Sequence, residues 1–101
     1  MGWVRLCSED EVAEGAVVSA DVGESRLMAV RLGGSVRVAA RTCTHEDADL
    51  SCGFVSPEGV RCPLHLSVFD MESGMPLNPP AQNPIMTYNV KIEHGAVFVE
   101  V

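Results

Sequence analysis

The sequence predicts an all-β fold: an antiparallel β-sandwich base carrying an inserted, loop-rich lobe at about residues 42–82. Three observations predict it. Segments 16–22, 26–32 and 35–41 are rich in Val, Leu and Ala and are punctuated by Gly23 and Gly33-Gly34. Segments 86–93 and 96–101 repeat the pattern around His94-Gly95. Between these outer blocks lies a proline-rich stretch with three of the four cysteines and two of the three histidines.

Each element follows from local chemistry. Ser8-Glu9-Asp10-Glu11 has the spacing of a capping box, but Gly15 comes too soon for more than one helical turn. The three apolar runs after it read as consecutive antiparallel strands. Gly33-Gly34 supplies the positive φ that a two-residue hairpin turn requires. His94-Gly95 marks the turn of a closing hairpin, with His94 as a plain turn residue. Trp3, Met28 and Phe98 fall at strand positions suited to a core.

A chain of 101 residues matches one domain, at roughly 100–200 residues per domain, so residues 1–101 are expected to form a single unit. Seven Lys and Arg against fourteen Asp and Glu give a net charge of −7, which repels nucleic-acid phosphates and anionic lipid. The start, MGWVRLCSEDEVAEG, has no basic region followed by an apolar run, and Leu6 stands where a myristoylation signal wants Ser or Thr. A soluble, cytoplasmic protein is expected. In that setting thiols stay reduced, so Cys7 and Cys52 are read as free, Cys7 buried.

The chemistry concentrates in two short pairs, Cys43-Thr44-His45 and Cys62-Pro63-Leu64-His65, separated by sixteen residues. Thiolate suits soft or borderline metals and imidazole suits zinc and iron, so four such ligands fit either a Zn²⁺ site or an iron–sulfur cluster. A structural zinc site more often pairs two Cys with two His, C-x₂₋₄-C then H-x₃₋₅-H, whereas each arm here carries one of each.

CTH followed by CPLH at this distance, together with the proline-rich stretch 75–81 and the closing hairpin, resembles the Rieske-type ferredoxins. The resemblance spans nearly the whole chain. It implies a Rieske iron–sulfur fold and one [2Fe–2S] cluster, with Cys43 and Cys62 on an inner iron and the neutral imidazoles of His45 and His65 on the outer one. It further implies that stretch 75–81 covers the cluster.

Respiratory members add a disulfide between the two ligand loops, at positions held here by Ala48 and Leu64, and a membrane-anchoring N-terminal helix. Lacking both, the chain is similar to the soluble ferredoxins of bacterial aromatic-ring-hydroxylating dioxygenase systems. The resemblance then implies a one-electron carrier, a monomer and not itself an enzyme. Its transient partners would be a flavin-dependent reductase and a terminal Rieske non-haem iron oxygenase. Ser67 matches a serine that donates to a cluster sulfur in respiratory relatives, and Phe69 replaces their tyrosine. Fewer such donors stabilise the reduced state less, so a potential toward the lower end of the range of about −150 to +300 mV is expected.

Two other readings stand beside this one: a small Rieske-like subunit of a nitrite reductase or another oxidoreductase, and a Cys₂His₂ zinc module. Glu46, Asp47 and Asp49 would either steer a basic partner or be merely solvated. Val55, Leu66, Pro79 and Pro80 would form an apolar rim, with packing beneath the cluster the equal alternative for Val55.

Overall fold

The computed structural model describes residues 2–44, 48–64 and 67–101. Among these residues ten strands run in chain order: β1 (Trp3–Ser8), β2 (Val17–Val22), β3 (Ser25–Leu32), β4 (Ser35–Ala40), β5 (Phe54–Ser56), β6 (Gly59–Arg61), β7 (Val68–Phe69), β8 (Thr87–Tyr88), β9 (Val90–Glu93) and β10 (Ala96–Glu100). They form three antiparallel sheets, ordered β1-β10-β9, β2-β3-β4-β8 and β5-β6-β7. The first two make the base and the third belongs to the lobe. No helix among the described residues is long and apolar enough to cross a membrane.

The predicted turns are where the sequence places them. Gly33 and Gly34 both have positive φ (60° and 84°), and the Glu14 carboxylate accepts from both of their N–H groups at 2.9 and 3.0 Å. The turn between β9 and β10 is made by His94 (φ 52°) and Gly95 (φ 74°), confirming His94 as a turn residue. One helical turn, Glu9–Glu11, follows Ser8, whose N–H donates to Glu11 Oε1 at 3.4 Å.

Two expectations need correction. Segment 86–93 is not one strand: β8 pairs with β4, whereas β9 pairs with β10. The chain crosses from one sheet to the other at Asn89, whose carbonyl accepts from Glu100 N–H at 3.0 Å. The lobe is loop-rich as expected and also holds a small sheet of its own.

Trp3 is on a strand but not in the core. It is 40% exposed, with the Lys91 ammonium 4.7 Å from its ring centroid. The cation covers the indole there.

The apolar residues sort into two cores on either side of one strand. Leu27 and Ala29 of β3, with Val38, Val97, Val99, Val12 and Cys7, fill the space between the two base sheets. Met28 and Val30, the alternate residues of β3, join Ala39, Leu50, Val60, Phe69, Met71 and Ile85 in a second core under the lobe. A strand buried on both faces reads as a continuous apolar run, and β3 carries Leu27-Met28-Ala29-Val30, all fully buried.

Candidate metal centre

Cys43 and Cys62 each stand at the first position of a loop that leaves the second core. Both thiols are buried in that core, with Met28, Val60 and Phe69. The next described residues, Thr44 on one side and Pro63 and Leu64 on the other, are exposed. Each loop therefore starts inside the protein and turns outward within one or two residues.

The two loops close in the same way. Cys43 N–H donates to Ala48 O at 2.8 Å, and Cys62 N–H donates to Ser67 O at 3.0 Å. In both, a cysteine amide is bonded to the carbonyl five residues on, a matched pair of tight loops on adjacent parts of one core. His45 and His65 fall inside these loops by sequence but lie outside the described residues, as do Glu46, Asp47 and Leu66. Among the described residues no cluster of three metal-ligating side chains forms.

Around the first loop the chain is anchored from the base. Thr42 and Asp49 form a bridge, and Leu50 N–H donates to Arg41 O at 2.6 Å. The Asp49 carboxylate accepts from Ser51 N–H (2.9 Å) and Ser51 Oγ (2.6 Å), capping the short helical turn Leu50–Cys52. Burial raises the Asp49 pKa, but the bonds from Ser51 and the Arg41 charge outweigh it and leave the carboxyl below its ordinary value. Of the acidic trio considered for steering a partner, Asp49 is thus engaged within the fold.

Around the second loop the anchor is the proline-rich stretch, here called the third loop. Leu77 N–H donates to Val68 O at 2.7 Å, and Asn78 Oδ1 accepts from Val68 N–H at 2.8 Å. The Asn78 side chain thus supplies the carbonyl that a neighbouring strand would present to β7. Ala81 N–H donates to the buried Ser67 hydroxyl at 2.8 Å, and Thr44 Oγ1 reaches across from the first loop to Asn83 O at 2.7 Å. The third loop touches the second cysteine loop, and Asn83, just beyond it, touches the first.

β6, which delivers the second loop, lies hard against β7. A Cβ added at Gly59 would sit 1.9 Å from Phe69 O, and Gly59 has φ +151°, so only glycine fits. Phe69 is fully buried, has no hydroxyl and packs in the same core as the two thiols. Val55 is half-buried against that core, which favours packing over a place on an exposed rim. Pro79 and Pro80 are exposed, and Leu64 is 67% and Leu77 52% exposed.

The other two cysteines take no part. Cys7 is buried in the first core, where burial, with Glu11 adding and Arg5 opposing, pushes its thiol above the ordinary value. Cys52 is exposed.

Sequence reasoning missed Arg41, Asp21 and Asn78. The first two are twenty residues apart and meet only through the sheet, so no local signal joins them. Asn78 preceding Pro79-Pro80 was a readable cue, since Asn side chains commonly stand in for backbone groups at turns.

The donor set fits a thiolate-held metal group: two buried cysteines share one apolar core at the heads of two similar loops, and thiolate is a ligand that soft or borderline iron and zinc accept. Comparison with known proteins narrows this. Residues 2–89 match the family described as Rieske [2Fe-2S] domain. The ferredoxin component of the naphthalene 1,2-dioxygenase/salicylate 5-hydroxylase systems of Ralstonia sp. is 33% identical over 97% of this chain and 94% of its own length. The Sphingomonas yanoikuyae B1 ferredoxin superposes with a TM-score of 0.94 at 33% identity, covering 99% of each chain. A chain from the complex of reduced oxygenase and oxidized ferredoxin in carbazole 1,9a-dioxygenase superposes at 0.88 with 30% identity, covering 96% of this chain and 91% of that one.

Proposed function

This chain belongs to the Rieske [2Fe-2S] domain family, and from that premise we propose that it is a one-electron carrier. It would take electrons from a flavin-dependent reductase and pass them to a terminal Rieske non-haem iron oxygenase. The observation that carries this reading is the pair of buried thiols, Cys43 and Cys62, at the heads of two identically closed loops.

When bound, a [2Fe–2S] cluster accepts and returns one electron. The chain's own residues then have separate tasks. Cys43 and Cys62 would hold one iron from inside the core, and His45 and His65 would supply the imidazoles for the other. The second core, closed by Phe69, Met28 and Val60, keeps water from the thiolate side. The third loop, tied to Ser67 and Val68 and followed by Asn83, which holds Thr44, would cover the centre.

Exposed Leu64, Leu77, Pro79 and Pro80 offer a small apolar surface beside these loops. A small surface suits partners that must bind in turn and leave, because tight complexes would block turnover. A monomer in the cytoplasm fits that duty. With Phe69 in place of a hydroxyl donor, the potential is expected toward the lower end of the Rieske range of about −150 to +300 mV.

Electron paramagnetic resonance of the anaerobically reduced protein tests the reading. The expected result is the signal of a cluster with two imidazole ligands, from protein containing iron and acid-labile sulfide in equal amounts. A colourless protein with one zinc per chain would defeat it.

A further inference from the structure

Arg41 carries a full positive charge into the interior: it is only 8% exposed. A guanidinium taken out of water must be matched by partners or it destabilises the fold. Its partners come from three separate elements. Nη1 donates to Asp21 Oδ1 on β2 and to Leu27 O on β3, the latter at 3.2 Å. Nε lies 3.4 Å from Asp49 Oδ2, at the far end of the first cysteine loop, close enough for charge attraction but without the alignment of a hydrogen bond.

The main chain of Arg41 repeats this division. Its N–H donates to Arg26 O at 3.0 Å, next to β3, and its carbonyl accepts Leu50 N–H at 2.6 Å, just after the loop. Arg41 therefore stands two residues before Cys43 and grips the returning end of the same loop twice, once through its backbone and once through its side chain. No charged residue plays this part at the second loop among the described residues.

A purely architectural role would be satisfied by the Asp21 and Leu27 bonds alone, which join β2, β3 and the end of β4. The Asp49 contact adds nothing to that joint. It acts on the loop, whose eight residues between Arg41 and Leu50 have their two ends held at one fixed point.

We infer that Arg41 is the positioning residue of the first ligand loop, setting through Asp49 and Leu50 where Cys43 and His45 meet the cluster. The inference rests on the ligand set proposed above. The guanidinium fork is needed because one rigid group must face Asp21 and Asp49 at once, which the single ammonium of lysine cannot do with the same geometry.

The test compares Asp49→Asn, Arg41→Lys and Asp21→Asn in the cluster-loaded protein. Asp49→Asn keeps an oxygen to cap Ser51 and removes only the charge facing Arg41. It and Arg41→Lys are expected to shift the g-values of the reduced protein and to speed iron release to excess chelator about tenfold, the lower end of what lost outer-sphere support does to metal sites. Asp21→Asn should lower the melting temperature while leaving the g-values of the parent. Parental g-values and parental iron release in both Asp49→Asn and Arg41→Lys would overturn the inference, whatever happens to their melting temperatures. Absence of the two-imidazole signal from the parent protein itself would instead overturn the ligand set, and this inference with it.

Discussion

The loops begun by Cys43 and Cys62 are closed by the same bond yet held in opposite ways. The first is anchored by charge, from Arg41 and Asp49, with its roots in the base at Asp21. The second is anchored by neutral hydrogen bonds, from Asn78 and Ala81 of the third loop. The difference teaches that a ligand loop's shape and its support are separable. The shape is written in the loop, whereas the support is drawn from whatever surface the loop happens to face. The first loop faces a sheet with a buried cation, and the second faces a segment that pairs with β7 through Leu77 and the Asn78 side chain.

The most severe way to break this comparison is to remove a ligand. Cys62→Ser or His45→Ala should abolish the resonance signal of the reduced protein altogether, and retention of that signal in either variant would refute the ligand assignment. The loss should be equal at the two loops, because the cluster needs both whatever supports each one.

The next effect separates them. Asn78→Ala leaves the Val68 N–H without its acceptor, which costs about 1–3 kcal/mol for a buried donor, read as a lower urea midpoint. Asn78→Asp should restore most of that stability, because a carboxylate oxygen accepts the same bond. If Asp does no better than Ala, the strand-like role given to the Asn78 side chain is wrong.

Acid supplies a smaller and graded effect. Asp70 is held below the ordinary carboxylate value by the Glu72 N–H and the Ser73 hydroxyl, against the opposing influence of burial. A group depressed in the folded state stabilises it above its unfolded pKa, near 3.9, and that stability is lost as pH falls through the folded value. Stability should therefore decline below about pH 4, and Asp70→Asn should decline less steeply between pH 5 and pH 3 in urea titrations. An unchanged slope would show that the Asp70 turn contributes nothing. The smallest effect of all belongs to Cys52→Ser. That exposed thiol touches neither anchor, so iron content and resonance should match the parent.

The base was legible because its signals are local: the apolar run at 26–32 announces a strand, and Gly33-Gly34 announces the turn after it. The family and its cluster were legible because cysteine and histidine carry chemistry in their identity, and two short spacings make a recognisable motif. The supports were not legible. Arg41 finds Asp21 across a sheet and Asp49 across a loop, and no periodicity links them. Strands β5 to β7 are only two or three residues long, below the length at which alternation can be read. Trp3 departs from its expected place because its ring is part-exposed beneath the Lys91 ammonium, a pairing that exists only in three dimensions.

The doubly buried β3 has a last consequence. Because Leu27 and Ala29 face one core while Met28 and Val30 face the other, the metal lobe and the base share a party wall a single peptide thick. Neither compartment can melt and leave the other dry. Loss of the lobe exposes the back of the wall that the base stands on, so heating or denaturant should strip the centre and unfold the base in one cooperative transition rather than two.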